Sequence, residues 1–175
     1  IKKVPTAIFK DGSVGVTYNP LNLSNQFNNC QSAGAANPIY NVTVAIHQNS
    51  SCISNYIVNW GDSSSPQTFT AAPFTHSYTG LGAYTMSITA MGSNGCSVTK
   101  NYTIKNESNP AGGLVSPGNT TNLCAPTPNL AFTIANWANN SPGTIYVLDY
   151  GDNSPLVTLT QPNLINSSYY NSANP

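Results

Sequence analysis

Two histidines, four cysteines and five carboxylates are all that this 175-residue chain offers for acid–base, nucleophilic or metal chemistry. Asp62 and His76, with a hydroxyl from Ser63-Ser-Ser65, can be drawn as a charge-relay set. No nucleophile-elbow motif frames them, and a Gly-Asp turn followed by a His-x-Tyr strand is an ordinary β-protein skeleton, so the expectation is no enzyme. Neither a phosphate-cradling P-loop nor a dinucleotide glycine fingerprint occurs. Asp11, Asp62, Asp149 and Asp152 are hard oxygen donors that could serve calcium. Each stands alone in sequence, whereas a calcium site needs several oxygens to converge. Turn capping is the preferred reading, and no cofactor is expected. His47, at the end of an apolar run, reads as a hydrogen-bonding surface residue. Cys30, Cys52, Cys96 and Cys124 are too widely spaced for a zinc knuckle, and disulfides in an oxidising compartment are the better reading.

These residues hang on one repeated element. Asn55-Tyr-Ile-Val-Asn-Trp-Gly-Asp62 returns as Thr144-Ile-Tyr-Val-Leu-Asp-Tyr-Gly-Asp152 after about ninety residues, which marks a repeat architecture. Tyr56, Val58 and Trp60 alternate with polar or outward positions, and so do Tyr146, Leu148 and Tyr150. A period of two ending in a Gly-containing turn predicts a half-buried strand. Gly61 and Gly151 release the chain from the strand, and Asp62 and Asp152 cap the turn. Trp60, Tyr56, Tyr84, Tyr146 and Tyr150 are expected in the core. Trp137, Tyr169 and Tyr170 sit in irregular polar stretches. They form either a sugar-stacking or protein-contact patch or a cover over a sandwich end, the second being preferred.

Further strands are expected at Ser13–Tyr18, Ile39–Ile46, Gln67–Thr70, Phe74–Tyr78, Ala83–Ala90 and Cys96–Lys105, with Ser93-Asn-Gly95 as a hairpin turn. In the second copy Leu130–Ile134, Tyr146–Tyr150 and Val157–Leu159 match the first. No stretch carries a helical period of useful length. Short strands at regular spacing predict β-sandwiches.

Only 6% of the residues are charged, with formal net charge zero. Five basic residues cannot assemble a phosphate-binding face, so no nucleic-acid partner is expected. No run of eighteen apolar residues exists to span a bilayer. Amide and hydroxyl side chains supply the polarity, in the manner of an exported β-rich protein.

Trp60-Gly-Asp62, His76-Ser-Tyr78, Gly82-Ala-Tyr-Thr85 and Asn94-Gly-Cys96, in that order, resemble the PKD (polycystic kidney disease) domain. The resemblance covers roughly residues 10–105 with all landmarks, and about 110–175 with the front half. Ser63 and Asn153 stand where that family usually has a second Gly. The resemblance implies tandem immunoglobulin-like sandwiches used extracellularly as spacer, adhesion or protein-contact modules, the second one incomplete. The expected organisation is a tail or linker at 1–9, a first module at 10–105, a linker at 106–113 and the N-terminal part of a second module at 114–175. Ile1-Lys2 would match Ile104-Lys105 as the end of a preceding module.

Asn136-Trp-Ala-Asn-Asn-Ser-Pro-Gly-Thr144 is similar to repeats of very large cell-surface adhesins of gliding Bacteroidetes (SprB-like). Those imply type IX secretion, gliding motility and neighbouring repeats as partners. In an immunoglobulin-like sandwich the loop carrying Cys52 and the hairpin carrying Cys96 lie at one end, so Cys52–Cys96 is the preferred disulfide. Cys30–Cys96 is the runner-up, because Cys124 repeats Cys30 while Cys52 has no second copy. The functional expectation is a non-enzymatic, secreted repeat segment of a cell-surface adhesin. The alternative is an accessory polysaccharide- or protein-binding module of a secreted hydrolase.

Overall fold

In a computed structural model of the protein, the described residues are 4–21, 26–33, 35, 37–115, 132–168 and 170–172. The chain divides into two compact units, Ile1–Cys30 with Asn37–Glu107, and Gln31–Ala36 with Ser108–Pro175.

Alternation dictates the first unit. Strands β1 (Ala7–Asp11), β3 (Tyr40–Asn49) and β6 (Phe74–Tyr78) form one sheet in the order β1-β3-β6. The second sheet runs β2-β8-β7-β4-β5, from β2 (Phe27–Gln31), β8 (Ser97–Ser108), β7 (Gly82–Gly92), β4 (Ile53–Asn59) and β5 (Gln67–Phe69). Every second residue points inward. Phe9, Val42, Val44, Phe74 and Tyr78 of one sheet meet Phe27, Tyr56, Val58, Met86, Ile88, Ala90, Tyr102 and Ile104 of the other in one buried cluster. Phe9 sits edge-on to Tyr56 at 5.8 Å and to Tyr102 at 6.2 Å between ring centroids, so it joins the two sheets. Burying each large apolar side chain contributes about 1.5–3 kcal/mol, which makes this layer the main source of stability. The unit is a β-sandwich. Its longest ladder is the β7–β8 hairpin, closed by Gly95 at φ 78° as the Asn-Gly signal predicts.

The first strand differs from expectation. It lies at Ala7–Asp11, while Ser13–Gly15 form a turn and 16–19 carry no strand. Residues 1–9 are therefore not all tail or linker, since Ala7 and Phe9 are fully buried. Lys10-Asp11-Gly12 closes this strand instead of preceding one. The Phe9 N–H donates to the Tyr102 hydroxyl at 3.0 Å, which ties β1 to the opposite sheet.

The second unit repeats the opening of the first. β9 (Gly113–Val115) pairs antiparallel with β10 (Thr133–Ala135), as β1 pairs with β3. β11 (Ile145–Leu148) pairs with β12 (Val157–Thr160), as β4 pairs with β5. The register is the same: Tyr56↔Phe69 and Val58↔Gln67 become Tyr146↔Leu159 and Leu148↔Val157, each residue 90 positions on. Then the copies part. The segment aligned with β6 begins in a short helix, α1 (Gln161–Ile165), which the sequence reading did not expect. Five residues are too few for a 3.6 period to register. The local signal is Thr160 before Gln161-Pro162: the Thr160 N–H donates to Asn163 Oδ1 at 2.8 Å, and proline is tolerated in a first helical turn.

Candidate functional site

Two of the residues singled out for chemistry, Asp62 and His76, meet at the turn after β4. Asn59 Oδ1 accepts the Gly61 N–H at 3.0 Å, and Asp62 Oδ1 accepts the Ser64 N–H at 3.1 Å. After β11, Asp149 Oδ1 accepts the Gly151 N–H at 2.8 Å and Asp152 Oδ1 the Ser154 N–H at 2.9 Å. Both turns use two left-handed residues: Gly61 and Ser63 at φ 79° and 71°, Gly151 and Asn153 at 73° and 64°. The side chains at 63 and 153 thus adopt the conformation that glycine would take most easily.

In the first unit the turn is bolted to β6. His76 Nε2 lies 2.6 Å from Asp62 Oδ2, and the imidazole stacks on the Trp60 indole at 4.7 Å and 8°. The Tyr78 hydroxyl donates to the Trp60 carbonyl at 2.8 Å, and the Trp60 indole N–H to Gln67 Oε1 at 2.8 Å. Tyr84 packs on Tyr78 at 4.6 Å and donates its hydroxyl to the Gly80 carbonyl. Burial pushes the Asp62 carboxyl up, but the hydrogen bonds from Ser64 and His76 outweigh it and hold the group at about 2. Burial and the nearby Asp62 charge push the Tyr78 phenol up.

This geometry is a clamp. The Ser64 hydroxyl donates to Asp62 Oδ1 at 2.5 Å, on the carboxylate that also holds His76. A relay needs the serine on the imidazole and the carboxylate behind it. Here both groups converge on Asp62.

Asp11 completes the turn-capping set, its Oδ1 accepting the Ser13 N–H at 2.8 Å. Among the described residues no three of His, Cys, Asp and Glu come together as a metal site. His47 lies exposed with its ring stacked on Tyr18 at 3.8 Å.

The disulfide expectation is corrected. Cys52 and Cys96 are not bonded to each other. Gly92 and Ser93, at the end of β7, donate their N–H groups to the Cys96 carbonyl (2.7 Å) and the Cys52 carbonyl (2.8 Å). Cys30–Cys96 fails as well. Asn29 bonds Asn106 near one end of β8, whereas Cys96 precedes its other end, on the order of 30 Å away along the strand. Cys124 lies outside the described residues.

One aromatic expectation changes too. Tyr150 is 54% exposed, whereas its counterpart Trp60 is fully buried. His76 stacks on Trp60, and Asn166 stands at the corresponding position 90 residues on. Trp137 is 5% exposed and packs on Tyr170, which remains 37% exposed. Tyr169 lies outside the described residues.

Two asparagines escaped the sequence reading, because nothing distinguishes them in so amide-rich a chain. Buried Asn106 donates to the carbonyls of Pro38 and Gly80 and accepts from Asn29. Asn140 bonds both the N–H and the carbonyl of Ala111 and donates to the Tyr146 hydroxyl.

No family model and no curated protein matches the chain. Among solved structures, one described as addressing "the promiscuous specificity of the carbohydrate-binding modules from the beta-sandwich super family" aligns at 18% identity and TM-score 0.44. It covers 66% of this chain and 48% of that one, so the chain spans about half its length.

Proposed function

We propose that the chain is a non-catalytic repeat segment of an extracellular, cell-surface adhesin, built of PKD-like modules that space and present contact surfaces. The observation that carries this reading is the recurrence, at 90 residues, of one strand-turn-strand element with the same register and the same turn hydrogen bonds. Repeats of this kind are economical spacers, because each one reuses the same core and turn. The non-catalytic part is supported by the use of Asp62, Ser64 and His76 to fasten a turn. Among the described residues no helix is long and apolar enough to cross a membrane.

Beads carrying the 175-residue chain are expected to attach to abiotic or polysaccharide-coated surfaces without turning over any glycan or peptide offered. His76→Asn should attach as the parent does. Substrate turnover that disappears in His76→Asn would sink the reading.

A second reading, polysaccharide binding, is favoured by one observation, the exposed rings of Tyr150 and Tyr170 in the second unit. Glycan retention lost on Tyr150→Ala with Tyr170→Ala would establish it.

A further inference from the structure

The outer face of the larger sheet in the first unit carries one kind of chemistry. In β7, Thr85, Ser87 and Thr89 alternate with buried Met86, Ile88 and Ala90. In β8, Thr99, Asn101 and Thr103 face outward against buried Tyr102 and Ile104, and in β4 Ile57 and Asn59 do so against Tyr56 and Val58. Strand pairing sets these residues in rows across the sheet. Thr68, Ile57, Thr89 and Thr99 make the first row, Asn59, Ser87 and Asn101 the second, Thr85 and Thr103 the third. None of them is buried, and all but Ile57 end in a hydroxyl or an amide. Neighbours within a row stand about 4.8 Å apart, and successive rows about 6.8 Å apart.

No charge interrupts the rows. Strand β8 carries Lys100, Lys105 and Glu107, yet Lys100 pairs with inward-directed Ile88, and Lys105 and Glu107 follow Thr103 past the last row. The side chains are short and several are already held. The Thr89 and Thr99 hydroxyls bond each other at 2.8 Å, and Asn59 accepts the Gly61 N–H at 3.0 Å. Threonine is stiff about χ1, so little side-chain freedom is left to lose on contact. Ile57, 38% exposed, adds an apolar contact among the hydrogen-bonding groups. These properties select a partner. A charged polymer would shed its hydration against a face with no counter-charge. A single soluble glycan would lose chain freedom for contact on one side alone. An uncharged polysaccharide packed into a solid has already lost that freedom, and it offers hydroxyls between apolar ring faces at regular spacing.

We propose that this face attaches the chain to insoluble, uncharged polysaccharide. The inference rests on the adhesin reading and gives it a substrate class and a side of the first unit. It does not involve Tyr150 or Tyr170, which belong to the second unit.

The test presents the 175-residue chain to particles of cellulose, chitin and β-1,3-glucan, with alginate as a charged polymer and polystyrene as an abiotic surface. Retention on at least one of the three uncharged polysaccharides is expected. Ser87→Glu with Asn101→Lys raises two long charged side chains in the second row. Opposite charges on directly paired positions keep the fold and the net charge, which near-ultraviolet circular dichroism checks. This variant should be retained about tenfold less, because its charges must be desolvated on contact. Thr89→Val with Thr99→Val keeps shape and strand preference but removes the hydroxyl pair, and should be retained about threefold less. Asn41→Lys with Ser77→Glu makes the first change at exposed, paired positions of the other sheet and should be retained as the parent is. The proposal is overturned if both face variants are retained like the parent, if the other-sheet variant loses as much, or if retention is confined to alginate or polystyrene. In those cases the adhesin reading stands. It is also overturned if sedimentation shows a parent dimer that the face variants dissolve, since the face would then join two copies. A parent chain retained on no surface overturns the adhesin reading together with this one.

Discussion

Asp62 shows how one carboxylate can serve structure under a pattern that suggests catalysis. It takes the Ser64 N–H, the Ser64 hydroxyl and the His76 ring, so it stays ionised far below the ordinary carboxylate range. Asp152, at the same place in the second copy, has the Ser154 bonds that hold its carboxyl down but no imidazole, since Asn166 stands where His76 would fall. The sign of the pH effect follows. The folded-state value of about 2 lies below the roughly 3.9 of an unfolded aspartate. The stabilisation is complete above pH ~4 and is lost as pH falls through about 2. Urea unfolding of the first unit, followed by near-ultraviolet circular dichroism, should lose midpoint between those values. Asp62→Asn should be less stable at neutral pH and flatter across the window. An unchanged acid slope in that variant would show that the clamp contributes nothing.

At the scale of elements, β7 decides more than any other strand. The Thr85 backbone abuts the turn after Trp60 and requires glycine at 61, and the end of the strand holds the carbonyls of both Cys52 and Cys96. Sequence reasoning placed Cys52 and Cys96 at one end of the sandwich. That nearness was legible, since both carbonyls meet Gly92 and Ser93, but the bond between the sulfurs is not formed in the structure. Alkylation under non-reducing conditions followed by mass spectrometry should recover Cys52 and Cys96 as separate peptides, as their free state implies. A bridge found there would contradict this. The first strand teaches a related lesson. Ala7, Phe9 and Asp11 alternate as a strand should, yet Lys10-Asp11-Gly12 is as good a turn signal before a strand as after one.

For the whole molecule, the two copies carry different amounts of core. Among the described residues, the first unit buries fifteen apolar or aromatic side chains in one cluster. In the second, the buried side chains among the described residues include Trp137 and Asn140, while Ile145, Val147, Tyr150, Leu156 and Ile165 remain exposed. Local opening free energy follows buried contact, so native-state amide exchange should be slowest in β7 and β8 and fastest in β11 and β12. Equal protection in the two hairpins would contradict this.

By itself the sequence determined the all-β class, the repeat, the inward faces of β3, β4, β7 and β11, and the Gly-Asp turns. These rest on period-two alternation and local turn chemistry, which act within a few residues. Only the tertiary structure decided that Asp62, Ser64 and His76 make a clamp, that Trp137 is buried and Tyr150 exposed, and that Asn106 and Asn140 are polar hubs. Each of those depends on which strands become neighbours in space, and a pattern of alternation is the same whichever neighbour a strand finds.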